Sequence, residues 1–126
     1  GYYQDEGILG DVFSLNLAKR DVSGAVQSYA DLTEFMIRFP ESEYINSARE
    51  RLIFLRNLIA SSELDGAEYY MKRGAYVAAL KRANYVLTNI PNSTEKNRAL
   101  SIMQDAYEKL GYSEYAQKAQ VLKQAN

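Results

Sequence analysis

Residues Ala67 to Leu80 read AEYYMKRGAYVAAL, and the placing of small and aromatic side chains in this stretch decides the fold. Gly74 interrupts a helix-forming run where a left-handed backbone ends one helix. Beyond it, Ala79 offers a small face on which the next helix folds back against Tyr70. From Ala79 to Pro91 the chain carries Ala83, Val86 and Leu87 at helical spacing, so a returning helix is predicted over residues 76–89. The stretch therefore specifies two antiparallel helices packed closely through alanines.

Working outward, the two prolines reveal a repeat. Pro91 follows Pro40 by 51 positions, and Phe39-Pro40-Glu41-Ser42 matches Ile90-Pro91-Asn92-Ser93. The same offset aligns Ala48 with Ala99, Leu52 with Met103, Leu55 with Ala106 and Ile59 with Leu110. In each copy a proline stops one helix, a serine or asparagine is placed to cap the next by accepting a bond from an orphan amide, and an amphipathic helix follows. Helix pairs of this kind are tetratricopeptide-type repeats, whose unit is about 34 residues.

The excess of about 17 residues over that unit belongs in the helix after Ser42. Tyr44, Ala48, Leu52, Leu55, Ile59, Ser62, Gly66 and Tyr70 keep steps of three or four with no proline, so one long helix is predicted over residues 43–73. Ser61-Ser62 and Asp65-Gly66 are weak helix formers, the glycine costing about 1 kcal/mol. A kink there, leaving two shorter helices, is the alternative.

The remaining elements follow from the same periodicity. Val26, Tyr29, Ala30, Leu32, Phe35, Met36 and Phe39 give an apolar face to a helix over 22–39. Helices over 94–110 and 113–124 pair across Gly111, with Tyr107, Ala116, Ala119 and Leu122 at the contact. Gly7, Gly10 and Asp11 argue against regular structure at the start, so residues 1–20 are predicted to be an irregular segment docking on the body through Ile8, Leu9, Val12, Phe13, Leu15 and Leu17. Residues 21–126 then form one all-α helix-pair solenoid.

Composition narrows the function. In 126 residues, 15 basic and 16 acidic side chains leave a net charge of −1, which removes the electrostatic drive that nucleic-acid binders need. There is no cysteine and no histidine, which excludes thiolate chemistry and withholds the commonest general base and metal ligand. No cofactor or metal is called for. No apolar stretch is long enough to span a bilayer, and no charged-then-apolar leader opens the chain. The chain begins at Gly1-Tyr2-Tyr3 without methionine, as a piece of a longer protein would.

Four segments resemble the BamD family, the lipoprotein of the outer-membrane β-barrel assembly machine, in its C-terminal half: RLIFLRN at 51–57, AEYYMKRGAYVAA at 67–79, the Ile90-Pro91 loop, and ALSIMQDAY at 99–107. Together they cover most of the chain after about Asp21. The resemblance implies a non-enzymatic scaffold on the periplasmic face of the outer membrane of a Gram-negative bacterium. Its partners would be the POTRA domains of BamA and other subunits of the complex, with membrane attachment only through a lipid anchor absent from this chain. In that family an arginine nine residues before the loop proline pairs with a glutamate of the POTRA domain nearest the barrel, and Arg82 stands at that position. Tyr76 stands where some members carry tryptophan.

From the residues alone, the stripe Ala79, Ala83, Val86 and Leu87 faces inward, which predicts an outward row of Arg82, Tyr85 and Asn89. Lys81 adds a second charge, and the four together are the predicted partner-binding face. An arginine beside a tyrosine on a helix has the composition of an interface anchor, although an exposed arginine is most often only a solvated charge. Tyr69-Tyr70 reads as core packing rather than a stacking platform. Lys72-Arg73 and Lys81-Arg82 read as part of a mixed solvated face rather than a phosphate site. Asn92-Ser93-Thr94 reads as cap chemistry rather than a glycosylation acceptor. Glu41 with Glu43, and Glu63 with Asp65 and Glu68, are the carboxylates an enzyme would use, but the sequence orients no partner toward them. The competing reading is a generic tetratricopeptide adaptor that grips a peptide in its groove. Against it, Arg49, Arg56 and Lys72 alternate with Glu50, Glu63 and Glu68, which makes no clean anion clamp.

Overall fold

A computed structural model describes the backbone of residues 8–125 and the side chains of residues 22–125. Five helices follow in order: α1 Ile8–Arg38, α2 Ile45–Lys72, α3 Tyr76–Asn89, α4 Lys96–Leu110 and α5 Ser113–Gln124. No strand occurs among the described residues, and the architecture is all-α of the tetratricopeptide helix-pair type. The chain divides into two compact units, the first ending at Ile59 and the second beginning at Ala60.

The long helix is present. α2 runs unbroken for 28 residues, about 42 Å at 1.5 Å per residue, through both suspected weak points. One glycine and two serines in a long run of Leu, Ala, Arg and Glu cost less than the neighbouring residues contribute.

The beginning of the chain corrects the sequence expectation. α1 starts at Ile8, so residues 8–20 are helical rather than irregular. A single Gly10 inside a run of helix formers such as Leu9, Leu15, Ala18, Lys19 and Arg20 carries too small a penalty to end a helix. Residues 1–7, and the side chains proposed to dock, lie outside the described residues.

Among the described residues of the first unit, Ala25, Ala48 and Leu55 are buried. The inward face of α1 passes through Ala25, with Leu32, Phe35 and Met36 half-buried. Val26, Tyr29, Ala30 and Phe39, expected on that face, are exposed, because the stripe is centred away from them and is narrower than predicted.

The second unit carries the main core: Ala60, Leu64, Ala67, Ala79, Ala83, Val86, Ala99, Ile102 and Met103, with Tyr70, Leu80, Leu87, Ile90 and Tyr107 packed around it. Alanine at so many contact positions lets the helix backbones approach closely, and Leu64 and Val86 fill the space between. α4 packs against both α3 and α5. The predicted contact between α4 and α5 holds at Ala116 and Ala119, and Tyr107 stacks on Tyr115 with ring centroids 5.4 Å apart. Leu122, however, is exposed. The inward stripe steps from Ala119 to Lys123, whose Nζ donates to Ser101 Oγ and Gln104 Oε1, both at 3.1 Å. A lysine can cover apolar surface with its stem while its amine finds oxygen partners, so the step of four wins over the step of three.

The two proline loops make the same turn. In the first, the Ser42 amide donates to Phe39 O at 3.1 Å and Ser42 Oγ accepts from the Tyr44 amide at 3.1 Å. In the second, Ser93 bonds to Ile90 O at 3.2 Å and accepts from the Glu95 amide at 3.2 Å. Each serine thus closes the turn itself, and α4 begins two residues later than the predicted 94, with no capping hydrogen bond from the Glu95 side chain at its start.

Two glycines have a backbone requirement. Gly74 and Gly111 sit at φ +75° and +84°, closing α2 and α4. At Gly74 the Ala75 amide reaches back to Tyr70 O at 2.9 Å, satisfying a carbonyl at the helix end. An added Cβ there meets nothing within 4 Å, so any penalty is conformational. Gly74→Ala is expected to lower stability by about 1 kcal/mol, read as a reduced midpoint in urea with an unchanged slope.

Candidate partner-binding face

Of the four predicted contact residues, three present themselves outward on α3. Lys81 and Asn89 are exposed and Tyr85 is 48% exposed. The helix brings Tyr85 and Asn89 together, with Asn89 Nδ2 donating to Tyr85 O at 3.1 Å. That side chain is therefore oriented along the helix and not extended from it.

Arg82 departs from the outward row. Its side chain is 30% exposed and lies against α2, with Nη1 3.5 Å from Glu63 Oε2. Its Cζ stands 5.6 Å from the centre of the Tyr70 ring, within cation–π range. Beneath it lies Gly66, where a built Cβ would fall 2.9 Å from Nη1. The inward lean follows from position: residue 82 borders Ala83 and Ala79 on the helix surface, and the small residues there leave α2 close enough for a long side chain to reach across. Periodicity alone puts Arg82 beside Tyr85. The neighbouring helix takes it away.

A second arginine shows what saturation looks like. Arg98 on α4 donates through Nη2 to Asp65 Oδ1 at 2.7 Å and Glu68 Oε1 at 2.8 Å, and through Nε to Glu68 Oε2 at 3.3 Å. Ser61 Oγ at 3.5 Å and Glu95 Oε2 at 3.7 Å complete the set. These contacts hold its proton well above the ordinary arginine range, chiefly through the hydrogen bond to Glu68; desolvation opposes this, and the Asp65 bond and both carboxylate charges add to it. The pair with Glu68 is bidentate, with its Nη2 arm short at 2.8 Å. The single ion pair of Arg82 is long by the same standard.

These partnerships correct the reading that the α2 carboxylates face no oriented partner. Glu63 is held by Arg82, and Asp65 and Glu68 by Arg98, so all three serve the joints between helices. Among the described residues no group of three acidic side chains is arranged to hold a metal ion. Sequence reasoning missed Arg98, because nothing local distinguishes it; only the return of α4 alongside α2 brings it to those carboxylates. It also missed that Glu63, Gly66 and Tyr70 surround Arg82. The mid-helix glycine is the available signal, but its helix penalty alone does not say what lies over it.

Arg98→Ala is expected to cost about 1.5 kcal/mol of stability, since three carboxylates lose their counter-charge but two of them face solvent that screens them. The loss should shrink as salt is raised in parallel urea titrations. A salt-independent loss would point to packing in place of charge.

Over residues 3–122 the chain matches the YfiO family, described as an outer membrane lipoprotein. Among curated proteins it is 36% identical over 123 residues to outer membrane protein assembly factor BamD of Xylella fastidiosa, an alignment covering 98% of this chain and 42% of that protein. It is 28% identical to BamD of Vibrio cholerae, over 98% of this chain and 51% of the relative. With BamD of Neisseria meningitidis the identity is 33% over 115 residues, covering 91% and 43%. The chain thus spans about half the length of these relatives or less. The family match extends across nearly all its residues, and the chain belongs to the YfiO/BamD family of outer membrane assembly lipoproteins.

Proposed function

We propose that this chain is a non-enzymatic scaffold segment of the outer-membrane β-barrel protein assembly machine and that α3 docks a POTRA domain of BamA. The reading places the protein at the periplasmic face of the outer membrane of a Gram-negative bacterium, among the other subunits of that complex. Among the described residues no helix is long and apolar enough to cross a membrane.

The observation that carries the reading is the state of Arg82. It is half-buried and held, yet its guanidinium has five donors and one long contact, which leaves an edge for a bidentate carboxylate from a partner. Lys81 and Tyr85 are exposed on the same helix, the first attracting acidic surface and the second offering contact area. A scaffold role also suits the α2 carboxylates, which are occupied in joining helices. The test is titration of a purified POTRA-domain fragment against this chain by calorimetry, with Arg82→Glu alongside. Binding that the charge reversal removes supports the reading; absence of binding, or binding indifferent to Arg82, refutes it.

A further inference from the structure

We propose that Gly66 is a positioning residue for Arg82: by lacking a side chain, it forms a notch on α2 in which the guanidinium is seated between Glu63 and the Tyr70 ring, ready for a partner carboxylate. The inference rests on the docking role given to Arg82 above and extends the site from α3 onto α2.

Gly66 lies in the interior of a 28-residue helix, where alanine is the better helix former and glycine destabilises. It is neither a cap nor a residue with positive φ, so its backbone freedom is unused. What it does supply is space. An ideal Cβ at this position meets only two atoms within 4 Å, Arg82 Nη1 at 2.9 Å and Arg82 Cζ at 3.6 Å. A real Cβ does not come within 3.0 Å of such an atom. The rest of the protein would accept alanine here; Arg82 in its present place would not.

The seat has three sides. Gly66 is the floor, Glu63 one turn earlier tethers Nη1 at 3.5 Å, and Tyr70 one turn later presents its ring 5.6 Å from Cζ. The steps from 63 to 66 and from 66 to 70 put all three on one face of α2. With Nη1 turned to Glu63, the edge formed by Nη2 and Nε is the one geometrically suited to a bidentate partner. Holding the fork in advance spares much of the rotamer entropy that an unrestrained arginine would lose on binding. Arg98 gives the contrast: its contacts with Asp65, Glu68 and Glu95 already use its donors, and it is spent on structure.

The experiment is a double-mutant cycle on Gly66→Ala and Arg82→Ala, with the POTRA-domain fragment as probe and thermal unfolding measured in parallel. Gly66→Ala is expected to weaken binding by about tenfold, because binding groups must be held to within about 0.5 Å, while the unfolding midpoint stays level or rises. In the Arg82→Ala background the same change should have no effect on binding. Binding that is unaltered by Gly66→Ala yet weakened by Arg82→Ala overturns the notch and leaves the docking role standing. A loss from Gly66→Ala of equal size in both backgrounds also overturns it, as a general disturbance of α2. Indifference to Arg82→Ala removes the docking role, and the notch with it.

Discussion

Leu64→Ala is expected to lower the stability of the chain by about 3–4 kcal/mol, toward the upper part of the range for buried leucines. Leu64 has no exposed surface and is one of the largest fully enclosed side chains. Its surroundings in the second unit are rich in alanine: Ala60, Ala67, Ala79, Ala83 and Ala99 are all completely buried. An alanine has no rotamer with which to move into a void, and helices that already touch through alanines cannot close further. The space left by the lost isopropyl group therefore stays open, and the cavity term adds fully to the lost transfer energy. Urea unfolding monitored by circular dichroism checks this; a loss below about 1 kcal/mol would mean that the helices collapse around the site. Leu100, also fully enclosed, is a useful comparison.

For Arg82→Glu the expected result is a loss of POTRA-fragment binding of at least about a hundredfold, or roughly 3 kcal/mol, with the helical content retained. Two effects combine. The partner's carboxylate loses its counter-charge, and a like charge is put in its place, which costs more than simple truncation. The folded chain also feels the change, because residue 82 faces Glu63, but both groups keep partial access to solvent and the repulsion is screened. A small fall in the unfolding midpoint is therefore expected together with that large loss of affinity. Arg82→Ala separates the two, since it removes the cation without adding an anion. Calorimetry and thermal unfolding on the same samples decide whether binding and folding part company as stated.

Periodicity and punctuation together made most of the helices legible. Pro40 and Pro91 with their following serines marked two equivalent turns, and the structure shows the same hydrogen bonds in each. Gly74 and Gly111 marked helix ends, and both have positive φ. These signals are local: a ring that fixes φ, a hydroxyl that reaches an amide two residues on, and a missing Cβ act through the nearest few residues. Weak local signals misled where neighbours outvoted them, as at Gly10, where α1 continues.

The candidate site was legible only in part. Lys81, Tyr85 and Asn89 are outward on α3, as helical spacing requires. The inward lean of Arg82 and the contacts of Arg98 with Asp65 and Glu68 were not visible, because each depends on another helix arriving alongside. The same holds for Lys123, which takes the inward position expected for Leu122 once Ser101 and Gln104 are beside it.

The amino-acid order by itself determined that this protein is a succession of amphipathic helices, where its loops turn, and that one helix is too long for a single repeat. Those properties arise from torsional preferences and a 3.6-residue period, which act along the chain. Only the tertiary structure decided which charges meet and which side chain lies over Gly66. A guanidinium chooses among carboxylates by distance and desolvation, and both are set by how closely neighbouring helices pack.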